Sequence, residues 1–240
     1  MKKTSAVWPV LLARELKALY QSPVAWIVTV LFLVFSGFLF FPTFFLINRA
    51  ELRNFFQLLP VLFSFFIPAL TMRVLSEESR SGSLETLLTL PVSGADVVAS
   101  KFLSVLVFIA GMLLPTAVYV VSVSLIGNPD PGPIAGGYIG ALFLSAAYAA
   151  IGVYASSLTK NQIVAFFIAF SVCIVLTLGH QFAIFLPAAL VGPVEFLGTA
   201  SHFEAVSRGI LDSRDLLYFA SVTAIFLALS VRNLEDRRTA

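Results

Sequence analysis

Residues 24–47 read VAWIVTVLFLVFSGFLFFPTFFLI, a run without a single charged side chain. A helix crosses the hydrocarbon of a bilayer with roughly 20 apolar residues, so this run is long enough to span. Five more apolar blocks follow, at 55–75, 102–126, 134–158, 163–186 and 216–231, the last being the shortest. The chain is 59% hydrophobic and only 12% charged, whereas a soluble domain carries about a quarter charged residues. A soluble core cannot absorb that much apolar surface, and a bilayer can. The blocks lack the two-residue alternation of a membrane barrel. The sequence therefore predicts an all-α membrane protein with six transmembrane helices.

The connections set the orientation. One set holds Lys2, Lys3, Arg14, Lys17, Arg73, Arg80, Lys101, Lys160, Arg232, Arg237 and Arg238, and the other holds Arg49, Arg53, Arg208 and Arg214. Positive charge favours the cytoplasmic side, which places both termini in the cytoplasm. The start does not read as a cleaved signal peptide, because Arg14, Glu15 and Lys17 interrupt the apolar stretch. Residues 7–21 read instead as an amphipathic helix. Trp8, Leu12, Leu16, Leu19 and Tyr20 fall on one face, Pro9 suits a first turn, and Ser22 and Pro23 end the helix. Such a helix lies in the membrane interface or packs on other protein.

The connection between spans two and three, Met72 to Asp96, carries more charge than any other internal segment except the late loop before the sixth span. The second span can continue through Glu77, Glu78 and Arg80. Gly82 permits a sharp turn and Ser83 can cap a new short helix. In that helix Leu84, Leu87 and Leu88 share a face, Glu85 lies off its centre, and Pro91 stops it. Ser93 followed by Asp96 has the form of a capping box for the third span. The leucine ridge either lies on the membrane or its own bundle, or docks into a groove on a soluble partner.

Several chemistries find no residues to carry them. No phosphate-binding Gly-x-x-x-x-Gly-Lys-Ser/Thr loop and no His-Glu-x-x-His motif occurs. His180 and His202 are isolated, no metal set can be assembled, and Cys173, single and inside the fifth span, reads as a packing residue. The central parts of the spans hold no Asp, Glu, Lys or Arg, which argues against a self-powered ion-coupled transporter. Pro42, Pro60, Pro68 and Pro115 interrupt or bound spans instead. In the late run Phe203, Val206 and Ile210 can share a helix face, with His202, Glu204, Arg208, Asp212, Arg214 and Asp215 beside it. An interfacial helix anchored by paired charges is the favoured reading over a substrate gate. Residues 187–193, apolar but broken by Pro and Gly, have the profile of a re-entrant element.

The run from Glu78 to Ser93, with its Gly-Ser-x-Glu-x-Leu-Leu core at Gly82 to Leu88 and Pro91-Val92-Ser93 beyond, resembles the coupling segment of ABC-2 type transporter permeases. Met72-Arg73, Asn161-Gln162 and the run from His202 to Asp215 are similar to the gliding-motility type within that family. The resemblance extends over nearly all of the chain, as one domain at 1–240. It implies a permease subunit that forms half of a translocation pathway in the bacterial inner membrane, more in the manner of an exporter. The implied partners are separate ABC ATPase subunits, a second permease copy or homologue, an accessory membrane subunit of the gliding-motility type, and membrane lipids, with no nucleic acid. ATP and Mg belong on the partner ATPase, with no cofactor on this chain and no enzymatic activity of its own. By the same resemblance Glu77, Glu78, Arg80, Gly82, Ser83, Leu84, Glu85, Leu87, Leu88 and Pro91 couple to the ATPase, the leucines as an apolar dock. The alternative is a membrane scaffold that recruits a soluble partner through the same helix without transporting anything.

Overall fold

A computed structural model describes the chain at residues 8–47, 51–89, 92–179, 181, 192, 196–209 and 212–239. All regular structure among them is helical. The order is α1 Trp8–Tyr20, α2 Pro23–Ile47, α3 Arg53–Thr71, α4 Ser76–Ser81, α5 Ser83–Thr89, α6 Gly94–Leu113, a 3-10 turn at Leu114–Thr116, α7 Ala117–Ile126, α8 Pro131–Leu158, α9 Gln162–Leu178, α10 Thr199–Ser207 and α11 Ser213–Thr239. Five stretches are long and apolar enough to span: Pro23–Leu46, Arg53–Ser81, Gly94–Ile126, Pro131–Leu158 and Ser213–Arg238. The protein is an all-α, multi-pass membrane protein.

The weak span is not the expected one. The block at 216–231 sits inside α11, a helix of 27 residues, because the charged residues beyond Val231 continue the helix instead of ending it. The shorter apolar helix is α9, with 17 residues, or roughly 25 Å at 1.5 Å per residue. The described helix ends at Leu178, and the expected 163–186 span runs on into residues outside the described set, as does the stretch 187–193 apart from Gly192.

The caps follow the sequence. Ser93 Oγ accepts from the Asp96 N–H at 3.1 Å and Asp96 Oδ2 accepts from the Ser93 N–H at 3.3 Å, completing the capping box of α6. Asp130 and Asn161 are simpler N-caps of α8 and α9, their side chains accepting from the Gly132 and Ile163 N–H groups at 3.0 Å. The cap also corrects the third span. With the helix starting at Gly94, Lys101 lies two turns inside α6 and is 1% exposed, not in a loop.

Helix α8 is the centre of the bundle, packed by α3, α6, α9, α10 and α11. Helices in lipid gain little from the hydrophobic effect and associate through close packing, which small residues permit. At Gly152 the approach is closest: a Cβ there would stand 1.9 Å from Thr71 Oγ1 and 2.7 Å from Thr71 Cβ on α3. The connections alternate between the two ends of the bundle. The proximal end holds α1, α4, α5 and the last turns of α11, with Leu11 and Leu234 in one apolar cluster. The distal end holds α10 and the first turns of α3, α8 and α11.

Gly152→Val should force α3 from α8, costing about 1–3 kcal/mol as overpacking does. Thermal unfolding of the purified protein should show a lowered Tm, partly restored by adding Thr71→Ala.

Candidate functional site

The connection between α3 and α6 forms an elbow at the proximal end. Helix α3 stops at Thr71, residues 72–75 turn, and α4 begins. Such a break strands backbone groups that must find partners inside the protein. One hydroxyl of α8 takes three of them. Ser156 Oγ accepts from the Leu75 and Ser76 N–H groups, both at 2.9 Å, and donates to the Met72 carbonyl at 3.0 Å. Gly82 then reverses the chain at φ 76°, in the left-handed region that suits glycine, and α5 folds back.

The leucine ridge of α5 faces its own bundle. Leu84 and Leu87 are 4% and 5% exposed and lie in a cluster with Leu11, Val97, Val153 and Leu234. This corrects the expectation that they form an exposed dock. The proximal end is outside the apolar spans, so burying each leucine there contributes roughly 1.5–3 kcal/mol. The side chain of Leu88, and Pro91 altogether, lie outside the described residues. Among the described side chains, those the elbow presents outward are polar: Arg80, Ser81, Ser83 and Glu85 are exposed, with Gly82 between them. Behind it, Arg237 at the end of α11 donates to Ser79 Oγ at 2.7 Å and to the Ser157 carbonyl at 2.6 Å. Asn233 donates to that same carbonyl at 2.8 Å.

Of the four expected polar contacts, two are engaged internally. Arg73 holds Glu77 by two bonds of 2.9 Å. Glu78 faces Lys101, whose Nζ lies 2.8 Å from Glu78 Oε1 and 3.0 Å from Glu15 Oε2. Arg14 completes the cluster with Nη2 2.6 Å from Glu15 Oε1. A buried ammonium is tolerable only when paired, and here it joins α1, α4 and α6. Burial pushes the Glu15 carboxyl up, but Lys101 and the Arg14 hydrogen bond more than reverse this and hold it below its ordinary 4.5.

Helix α1 packs along α6, with Leu11 buried and Glu15 turned inward. Trp8, Leu12, Leu16 and Leu19 are half-buried around them, so the expected face is rotated toward Leu11 and Glu15. Tyr20 meets Phe108 edge to face with centroids 5.1 Å apart. The inward face of α1 thus packs on its own bundle, a partner that neither reading of the sequence named.

At the distal end α10 lies across α8 and α3, with Phe203 and Val206 buried. Its charges are paired. Glu204 binds Arg208 and lies 3.5 Å from Arg53, and the Arg208 hydrogen bond holds its carboxyl below the usual range against a small upward push from burial. His202 Nδ1 lies 2.7 Å from Asp215 Oδ1, and its ring stacks on Tyr218. Asp212 Oδ1 accepts from the Arg214 N–H at 2.9 Å, at the start of α11. The anchored-helix reading fits these pairs. Ile210 and His180 lie outside the described residues.

The model of the ABC-2 family transporter proteins matches residues 10–235. The chain belongs to that family. No curated protein matches it. As an ABC-2 transporter protein the chain is a membrane permease, a transport subunit and not itself a catalyst, of a kind that works with an ATPase. The match takes in most of α1, the whole elbow and most of α11.

Lys101→Ala removes the buried cation shared by two partly buried carboxylates and leaves Arg14 alone to pair with both, and should cost about 1–3 kcal/mol, read as a fall in Tm. Glu15 contributes stability through a depressed pKa. That contribution is full at neutral pH and is lost as pH falls below about 4.5. The wild type should therefore lose more Tm on acidification than Glu15→Gln does.

Proposed function

We propose that this permease forms half of a translocation pathway driven by separate ATPase subunits, and that the elbow α4–Gly82–α5 receives their motion. A second copy or a homologue supplies the other half. One observation carries the reading: among the described side chains the elbow presents a polar tip while Leu84 and Leu87 are anchored inside. A lever needs that combination, since the partner must push on the tip without pulling the ridge from the bundle. Ser156 and Arg237 tie the elbow to α8 and α11, so a push on the tip reaches the central helix. Arg80, Ser81, Ser83 and Glu85 are the contact residues under this proposal, replacing Leu84 and Leu87.

The positive-inside asymmetry supports a cytoplasmic proximal end, where nucleotide would be available, and a bacterial inner membrane. ATP and Mg bind the ATPase and not this chain. Export, the gliding-motility type and its accessory membrane subunit rest on the sequence resemblance. A scaffold without transport predicts the same docking but no response of ATP hydrolysis to a transported molecule.

Cys173 is buried and single, so a new surface cysteine can be addressed alone. Glu85→Cys should cross-link to the ATPase subunit in membranes from the native host. The pair Arg80→Glu with Glu85→Arg should reduce ATPase co-purification at least about tenfold, equivalent to about 1.4 kcal/mol, with Tm unchanged. Leu87→Asp should instead lower Tm by burying an unpaired charge. A Glu85→Cys protein that cross-links to no ATPase, with charge reversal leaving co-purification intact, would sink the proposal.

A further inference from the structure

The third span is not one helix. Helix α6 ends at Leu113, a 3-10 turn runs Leu114–Thr116, and α7 continues from Ala117. Pro115 is the cause, since it has no N–H to give the Gly111 carbonyl four residues back. A 3-10 turn inside a helix often marks a hinge. The two sides of the break are held differently. Helix α6 buries Phe108, Ile109, Met112 and Leu113 just before it, whereas α7 buries only Tyr119 and Val123. Leu114, Val118, Val121, Leu125 and Ile126 face away from the bundle, each more than half exposed.

The pivot is fixed. Thr116 is fully buried, and its hydroxyl donates to the Leu113 carbonyl at 2.6 Å. With that proton used, the Tyr138 hydroxyl of α8 donates to Thr116 Oγ1 at 2.9 Å. Beyond the pivot, one hydroxyl among the described residues bonds α7 to α2. The Tyr119 hydroxyl donates to the Leu33 carbonyl at 3.0 Å and lies 3.1 Å from Ser36 Oγ. Its ring sits among Phe40, Phe41 and Phe55, with centroids 5.6, 5.4 and 5.3 Å away.

Helix α2 can give up this bond at little cost. The Leu33 carbonyl already takes the Gly37 N–H in the regular helical pattern and the Ser36 hydroxyl at 3.2 Å. Losing Tyr119 therefore leaves no carbonyl unmatched in the membrane. Apolar contacts oppose release only weakly, because lipid tails replace them.

We infer that α7 is a swinging half-helix with two positions, hinged at Leu114–Thr116 and latched to α2 by Tyr119, whose release opens the aromatic cleft between α2 and α3 to the membrane. The latch lies away from the elbow, so it stands or fails independently of the proposed function.

The experiment is double electron–electron resonance on the full chain in lipid nanodiscs, diluted with unlabelled protein. A spin label at Leu217→Cys, at the start of α11, is paired with Leu125→Cys on α7 or, as a control, with Val107→Cys on α6; all three positions are exposed. The α6 pair should give one narrow distance and the α7 pair two. Tyr119→Phe keeps the ring and removes the latch, and should raise the ratio of the second α7 population to the first by about three- to tenfold, the scale of one hydrogen bond. Gly37→Ala tests the latch from α2, because its Cβ would stand 3.0 Å from the Tyr119 hydroxyl oxygen. It should raise the same ratio, which decides the matter even if Tyr119→Phe does not fold. A single narrow distance for the α7 pair in the parent and both variants, a ratio unmoved by both substitutions, or equal broadening of the α6 pair would overturn the inference.

Discussion

Where α3 breaks, the Ser156 hydroxyl answers three backbone groups at once, and the elbow exists because it does. Polypeptide near a membrane surface cannot leave polar backbone groups unmatched inside protein. A helix that ends in the bundle must find partners on a neighbour, and α8 supplies them from its last turns. The same turns present Ser157 to Asn233 and Arg237 of α11. The elbow is thus built from outside its own segment, by α8 and the chain's end.

The charges at the proximal end obey a related constraint. Lys101 is admitted to the interior because Glu15 and Glu78 come with it, from helices far apart in sequence. Such a cluster adds little net stability compared with an apolar equivalent, yet each member is expensive to remove alone. It fixes how α1, α4 and α6 sit against one another.

Much of this was legible in order. Uncharged runs such as 24–47 gave spans, Ser93 and Asp96 gave the start of α6, and Gly82 gave the reversal, since each depends on residues close in sequence. The leucine ridge of α5 was legible as an amphipathic helix but not as to what it faces. Leu84 and Leu87 point to a buried surface whichever protein provides it, and periodicity does not name the provider. The apolar block begins at Phe102, which by itself leaves Lys101 in a connection, whereas the capping box at Ser93 and Asp96 sets it two turns inside the helix. In α11 hydropathy stops at Val231, whereas helical hydrogen bonding continues through charged residues that have surfaces to pack on.

The sequence by itself determined the membrane as solvent, the family, and the places where helices start and reverse, because apolar length, capping and left-handed backbone are local properties. Only the tertiary structure decided which face of the elbow is free and that Lys101 joins three helices. Those outcomes depend on which residues meet across long separations, and the pairing of a buried charge or the covering of a leucine is settled by its neighbours in space.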